Sequence, residues 1–159
     1  MSGVEKASVG AQATDFTLKD GEGQDWRLSD RRGRVVVLLF YPSDGTPVCT
    51  KQMCSVRDNW EQYQETGAEV VGISTDSVES HKRFAERHSL PLRLLSDPDR
   101  RVASLYGAKS WWLPGRAARV VVVIDAQGRV RHNRAQPLSL FRPKDDEVLA
   151  AIRAAQAPQ

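Results

Sequence analysis

Val35-Val36-Val37-Leu38-Leu39-Phe40-Tyr41-Pro42-Ser43-Asp44-Gly45-Thr46-Pro47-Val48-Cys49-Thr50-Lys51-Gln52-Met53-Cys54 is the stretch on which the reading of this chain turns. Its first six residues are wholly apolar, which predicts a strand in the middle of a sheet covered on both sides. A loop punctuated by Pro42, Gly45 and Pro47 follows. Cys49, Met53, Val56, Trp60 and Tyr63 then recur at helical spacing and share one face. Thr46 or Pro47 suits the start of that helix, so Cys49 falls in its first turn. There the unpaired N–H groups and the positive end of the helix dipole favour a thiolate, which makes Cys49 a candidate nucleophile.

Outward from this stretch, buried strands alternate with helical patterns. Phe16-Thr17-Leu18 and Trp26-Arg27-Leu28 alternate around Asp20-Gly21-Glu22-Gly23, the pattern of a β-hairpin, after a loosely held lead-in over residues 1–12. Ser29 to Gly33 predicts one helical turn ended by glycine. The Cys49 helix is expected to stop near Thr66-Gly67 and to give way to a strand over Glu69–Ser74. Asp76 or Ser77 caps a helix running to about His88. Leu92 to Leu95 reads as a short strand, Asp97-Pro98 as the opening of another helix, and Gly107 as its end. Val120 to Ile124 is the second wholly apolar strand, turned by Ala126-Gln127-Gly128 into an antiparallel partner over Arg129 to His132. A long loop over 133–143 leads to a last helix whose apolar face is Val148, Leu149, Ile152 and Ala155. Such alternation implies a mixed central sheet with helices on both faces and an N-terminal hairpin, an α/β fold. Neither repeat nor linker is visible, so residues 1–159 are expected to form one domain.

The bulk properties exclude several functions. With 23 basic and 20 acidic residues interspersed, the net charge of +3 is mild and lacks the clustered patch that nucleic acid requires. No apolar stretch approaches the length of a membrane span. No basic segment followed by an apolar one opens the chain, so no export signal and a cytoplasmic location are expected. In that setting Cys49 and Cys54 point to catalytic or redox use rather than to a structural disulfide. His81 and His88 are seven positions apart on a helix, wider than zinc-binding spacing, and read as residues at the core edge. His132 reads as a strand-end surface residue. Trp111-Trp112 suits either a pocket rim or a buried aromatic pair. No metal is expected.

Phe40-Tyr41-Pro42 followed by Thr46-Pro47-Val48-Cys49 resembles the active-site loop of the peroxiredoxins, in a Pro-x-x-x-Thr-x-x-Cys frame. The second cysteine five positions on resembles their Q-type subgroup, also called bacterioferritin comigratory protein. The resemblance implies a thioredoxin-like fold and an antioxidant thiol peroxidase acting on hydrogen peroxide and organic hydroperoxides. It implies that Cys49 attacks the peroxide and becomes a sulfenic acid, and that Cys54 resolves it as an intramolecular disulfide reduced by thioredoxin or a similar dithiol. Thr46 would then hydrogen-bond the reacting atoms, Pro42 and Pro47 would shape and shield the substrate pocket, and the N–H groups near Val48 and Cys49 would donate to the substrate. Arg119, at the head of the Val120–Ile124 strand, matches the family's arginine and would support the thiolate. Three departures accompany the match: Thr14 replaces a family proline, four valines fill a strand that is often more polar, and Gln52 stands where glutamate is common. No cofactor is implied, and the resemblance leans to a monomer, with a dimer possible. Two rival functions remain at this level. One is a peroxide sensor oxidised stoichiometrically at Cys49. The other is a disulfide oxidoreductase, which would normally show Cys-x-x-Cys.

Overall fold

The structure, a computed structural model, describes residues 8–110, 115–135 and 145–157. The expectations for Trp111-Trp112, for the first seven residues and for most of the late loop lie outside the described residues.

The hairpin around Asp20 is β1 (Thr17–Asp20) against β2 (Asp25–Arg27), with Leu18 opposite Trp26. A 3-10 turn over Leu28–Arg31 precedes β3 (Val36–Phe40), whose five residues are all buried. Then come α1 (Pro47–Asp58), α2 (Trp60–Glu65), β4 (Glu69–Ser74), α3 (Val78–His88) and β5 (Arg93–Ser96). α4 (Arg101–Leu105), β6 (Val120–Ile124), β7 (Val130–Ala135) and α5 (Asp145–Gln156) complete the described elements. The strands form one sheet in the order β2-β1-β5-β4-β3-β6-β7. β3, β4 and β5 run parallel, and the remaining neighbours pair antiparallel, so the sheet is mixed as expected.

Alternation along β3 divides the core in two. Val36, Leu38 and Phe40 join Phe16, Trp26 and Tyr106 on one face. Val37 and Leu39 join Cys49, Met53, Tyr63, Leu149 and Ile152 on the other. The helices carrying Cys49 thus pack flat on the sheet, as the apolar stripe requires. Gly72 in β4 leaves room for Leu94 and Tyr41 to pack over it: a Cβ there would come within 2.9 Å of the Leu94 side chain and 3.1 Å of the Tyr41 ring.

Beyond shifts of a residue or two at element ends, three differences from the sequence reading matter here. The helix expected to run to Thr66 breaks at Asn59, whose side-chain amide donates to the Ser55 carbonyl at 2.9 Å and competes with the helical ladder. Trp60, just past the break, is only partly buried, unlike the rest of its stripe. Asp97 does not open α4 but caps it from a distance. A turn ending in Arg100, at φ of 60°, lets its carboxylate accept from the Val102 and Ala103 N–H groups at 3.2 and 2.8 Å. β7 continues to Ala135, so His132 is a half-buried mid-strand residue, not a strand-end one. Burial and neighbouring Arg134 hold its pKa below the ordinary value against a smaller opposing pull from Glu147.

Candidate active site

The loop from β3 to α1 descends from a buried Tyr41 and Pro42 to an exposed Gly45, Thr46 and Pro47, then turns inward to a fully buried Cys49. Gly45, at φ of 79°, makes the reversal in the left-handed region that favours glycine. Thr46 is the N-cap by backbone geometry, and its carbonyl accepts from the Thr50 N–H at 2.8 Å. Its hydroxyl does not cap; it donates to the Ser43 carbonyl at 3.3 Å. The N–H groups of Val48 and Cys49 consequently find no protein acceptor among the described residues, and the half-buried Val48 sits beside them. They are the donors that an incoming oxygen would meet.

β6 brings the second component. Because it pairs antiparallel with β3, with Phe40 opposite Val120, Arg119 lies beside the point where the chain leaves β3. Arg119 as a whole is 1% exposed. Nη2 donates to Cys49 Sγ at 2.9 Å, and Nη1 donates to Gln52 Oε1. Gln52 and Cys49 are three apart on α1, so one planar fork bridges one helix face. Gln52 therefore holds the arginine despite carrying an amide rather than a carboxylate. Its Nε2 is buried and has no hydrogen-bond partner among the described residues. Arg116, the other arginine of this segment, points elsewhere and lies 3.5 Å from Asp76.

Cys54 is half-buried, and both cysteines are free thiols. α1 runs unbroken through both, so they stand on different faces of one helix. A groove of about 980 Å³ skirts the loop between α1 and α3, with Gly45, Pro47, Thr50, Phe84 and Arg87 among its walls. Cys49 lies beneath its α1 edge, not in it.

Sequence reading missed a second polar cluster against the same loop. Asp44 Oδ1 accepts from the Tyr41 hydroxyl at 2.6 Å, and Oδ2 accepts from Ser80 Oγ at 2.8 Å and lies 2.8 Å from His81 Nδ1. Burial alone pushes the Asp44 carboxyl up, but His81, Tyr41 and Ser80 together hold it below the usual carboxylate range. The buried Tyr41 phenol moves the other way, raised by burial and by Asp44. Asp76 accepts from Ser74 Oγ at 2.6 Å and from the Asp44 N–H at 2.8 Å. His81, expected at the core edge, is fully buried, whereas His88 is half-buried with its ring edge-on to Phe84. Asp44, Asp76 and His81 bring metal-ligand atoms within 4.8 Å of one another, yet each carboxylate and ring nitrogen is already engaged by protein groups. The available signal was the spacing of His81 and Phe84, three apart on the inward face of α3.

A buried cysteine at a helix N-terminus, with an arginine fork on its sulfur, is the arrangement of a nucleophilic thiolate. The comparisons with known proteins agree. Residues 9–133 match the model of the AhpC/TSA family. The chain belongs to the peroxiredoxins. This is an oxidoreductase family of thiol-dependent peroxidases. "Peroxiredoxin Q, chloroplastic" of Sedum lineare is 45% identical over 135 residues, covering 83% of this chain and 73% of that protein. The wheat (Triticum aestivum) protein of the same name is 44% identical, and the chain spans 62% of its length. Among solved structures, Peroxidoxin BcpB from Mycobacterium tuberculosis superposes with a TM-score of 0.80 at 36% identity, covering 92% of this chain and 96% of that one. These peroxiredoxin neighbours give the sheet its class, the thioredoxin-like fold. Among the described residues no helix is long and apolar enough to cross a membrane.

Proposed function

We propose that this chain reduces hydrogen peroxide and organic hydroperoxides through Cys49. The thiolate sulfur attacks one peroxide oxygen and the O–O bond breaks. Cys49 becomes a sulfenic acid, and the other oxygen leaves as hydroxide or alkoxide and takes up a proton. Cys54 then attacks the sulfenic sulfur, water departs, and an intramolecular Cys49–Cys54 disulfide remains. A thioredoxin-type dithiol reduces that disulfide and closes the cycle. The observation that carries this reading is the 2.9 Å contact from Arg119 Nη2 to Cys49 Sγ. A permanent cation there favours the thiolate and then the charge developing on the peroxide oxygens. In this reading the Val48 and Cys49 N–H groups receive an oxygen, Pro42 closes the pocket, and the Thr46 hydroxyl accepts from the peroxide O–H. No metal, haem or flavin takes part.

The test is turnover with NADPH, thioredoxin reductase, thioredoxin and peroxide. Catalytic NADPH consumption that Cys49→Ser abolishes is the expected result; oxidation that stops at one equivalent would make the chain a sensor instead. Cys54→Ser is expected to form sulfenic acid on Cys49 but not the disulfide, which mass spectrometry reads directly. We further read residues 1–159 as one domain acting as a monomer, without nucleic-acid or membrane partners. Two free cysteines suit the reducing cytoplasm. Its plant relatives carry the word chloroplastic, so fractionation of the source cells decides the compartment.

A further inference from the structure

We propose that His81 is a positioning residue for peroxide attack: through Asp44 it fixes the loop that presents Pro42, Thr46 and the α1 N-terminus to the substrate. The inference rests on the peroxidase reading above. Asp44 stands two residues before Thr46 and five before Cys49, and three side chains converge on its carboxylate. Two of them, Ser80 and His81, belong to the first turn of α3, so the clasp ties the loop to a separate helix. Its backbone N–H is held as well, by Asp76, which Ser74 anchors to the end of β4. The loop is therefore fixed by contacts separate from those that Arg119 makes with Cys49 and Gln52.

The imidazole is built for this task. It is completely buried, with Nδ1 2.8 Å from Asp44 Oδ2 and Nε2 3.0 Å from the Leu95 carbonyl. Nε2 faces the Leu95 carbonyl and Nδ1 faces the Asp44 carboxylate, so the ring bridges the loop to β5. The Tyr41 hydroxyl, 3.5 Å from Nδ1, completes the shell and gives its proton to Asp44. A buried histidine serving only to fill the core would need the ring's volume and any partner for each nitrogen. A positioning histidine needs the Nδ1 bond in particular.

That difference sets the experiment. An asparagine amide nitrogen can occupy the place of Nδ1, and a glutamine amide nitrogen the place of Nε2. His81→Asn thus preserves the donor to Asp44, whereas His81→Gln preserves the donor to Leu95. Single-turnover peroxide oxidation of Cys49 is followed in both, beside thiolate absorbance and thermal melting. His81→Gln is expected to slow oxidation by roughly ten- to a hundred-fold, the scale set by small misplacements of reacting groups. His81→Asn should stay close to wild type, and thiolate absorbance should be unchanged in both, because Arg119 is untouched. Equal rates in the two variants would return His81 to a core-filling role and overturn the proposal. So would a rate loss that merely follows lost thiolate. If His81→Gln does not fold, Asp44→Asn replaces it, since an amide cannot accept from all three donors. A wild-type rate in folded Asp44→Asn likewise overturns the proposal. Failure of the wild-type protein to react with peroxide would instead sink the peroxidase reading.

Discussion

Two buried polar networks flank Cys49, and they are built to different standards. On one side Arg119 reaches Cys49 and Gln52, and the Gln52 amide nitrogen has no partner among the described residues. On the other, Tyr41, Asp44, Ser80 and His81 satisfy one another, and Asp76 and the Leu95 carbonyl close the ring. A buried donor left unpaired costs about 1–3 kcal/mol, so a network made only for stability would not keep one. The difference marks a division of labour. In the proposed mechanism the Arg119 side faces the reacting sulfur and tolerates an imperfection, whereas the Asp44 side touches no reacting atom and can be complete.

The largest effect should come from breaking the incomplete side. In Arg119→Met the sulfur loses a cation at hydrogen-bond distance, so thiolate absorbance at neutral pH should fall. Peroxide attack should slow by more than the lost thiolate explains, on the order of 10²–10³-fold beyond it, the range for removing a donor aimed at developing oxygen charge. Absorbance titration paired with single-turnover rates checks this. An unchanged rate would leave Arg119 as a buried structural arginine.

A smaller effect should follow from repairing that side. Gln52→Glu replaces the orphaned N–H with a second acceptor and gives Arg119 a full countercharge. Melting should then occur at a higher temperature, while the new carboxylate, three residues from Cys49, competes for the guanidinium. Thiolate content and attack rate are expected to fall by about three- to ten-fold, equivalent to ~0.7–1.4 kcal/mol of lost differential stabilisation. An unchanged attack rate would show that the amide has no functional consequence, and a faster variant would refute the competition for the guanidinium.

The complete side has a pH signature. Asp44's folded pKa lies below its unfolded value, so the stability it contributes is present above the ordinary carboxylate range. That contribution is lost as pH falls through the depressed folded value. Acid should therefore loosen the Tyr41–Thr46 loop below about pH 4, and Asp44→Asn should remove this dependence. Melting temperature against pH for the two proteins measures it. Parallel curves would mean that the clasp contributes nothing on ionisation.

How far each network was visible in the sequence follows from how local its signals are. The Val35–Phe40 run, the Thr46-Pro47 helix start and the α5 stripe are patterns within one element, and the structure reproduces them. Arg119 was legible because its strand and turn resemble a family pattern. His81 was not, since its role is set by Asp44, 37 residues away, and by burial that a helix with Lys82, Arg83 and Glu86 on its outer face conceals. The break at Asn59 was equally hidden. It depends on a side-chain bond to Ser55 and on Asp145, which arrives from 86 residues later. The distant cap at Asp97 needed the conformation of Arg100, which propensity disfavours for a non-glycine residue.

The last prediction concerns what must move between the two networks. Five residues along an unbroken helix place two positions about 140° apart with a rise of about 7.5 Å, hence roughly 8.6 Å between Cα atoms. A disulfide needs less than about 7 Å, so Cys49 and Cys54 cannot join while α1 persists. Cys49 is also buried under the sheet-facing stripe, whereas Cys54 lies on its flank, half-buried. The proposed resolution by Cys54 therefore requires the first turns of α1 to unwind. The chain beyond α1 has reason to stay: Asp145, at the start of α5, accepts from Asn59 Nδ2 at 3.2 Å and from the Tyr63 hydroxyl at 2.5 Å, whereas its bond from Ser55 Oγ is given up as the helix opens. Amide exchange should accelerate on oxidation over Thr50 to Val56, as expected for a locally opened segment, while Trp60 to Glu65 keeps its protection. Because the change is confined to about two helical turns, it should scarcely alter far-UV ellipticity, which makes it the smallest of these effects. An intramolecular disulfide formed with no change in exchange across Thr50–Val56 would contradict this geometry. A disulfide found only between chains would place resolution across a dimer and leave α1 free to remain whole.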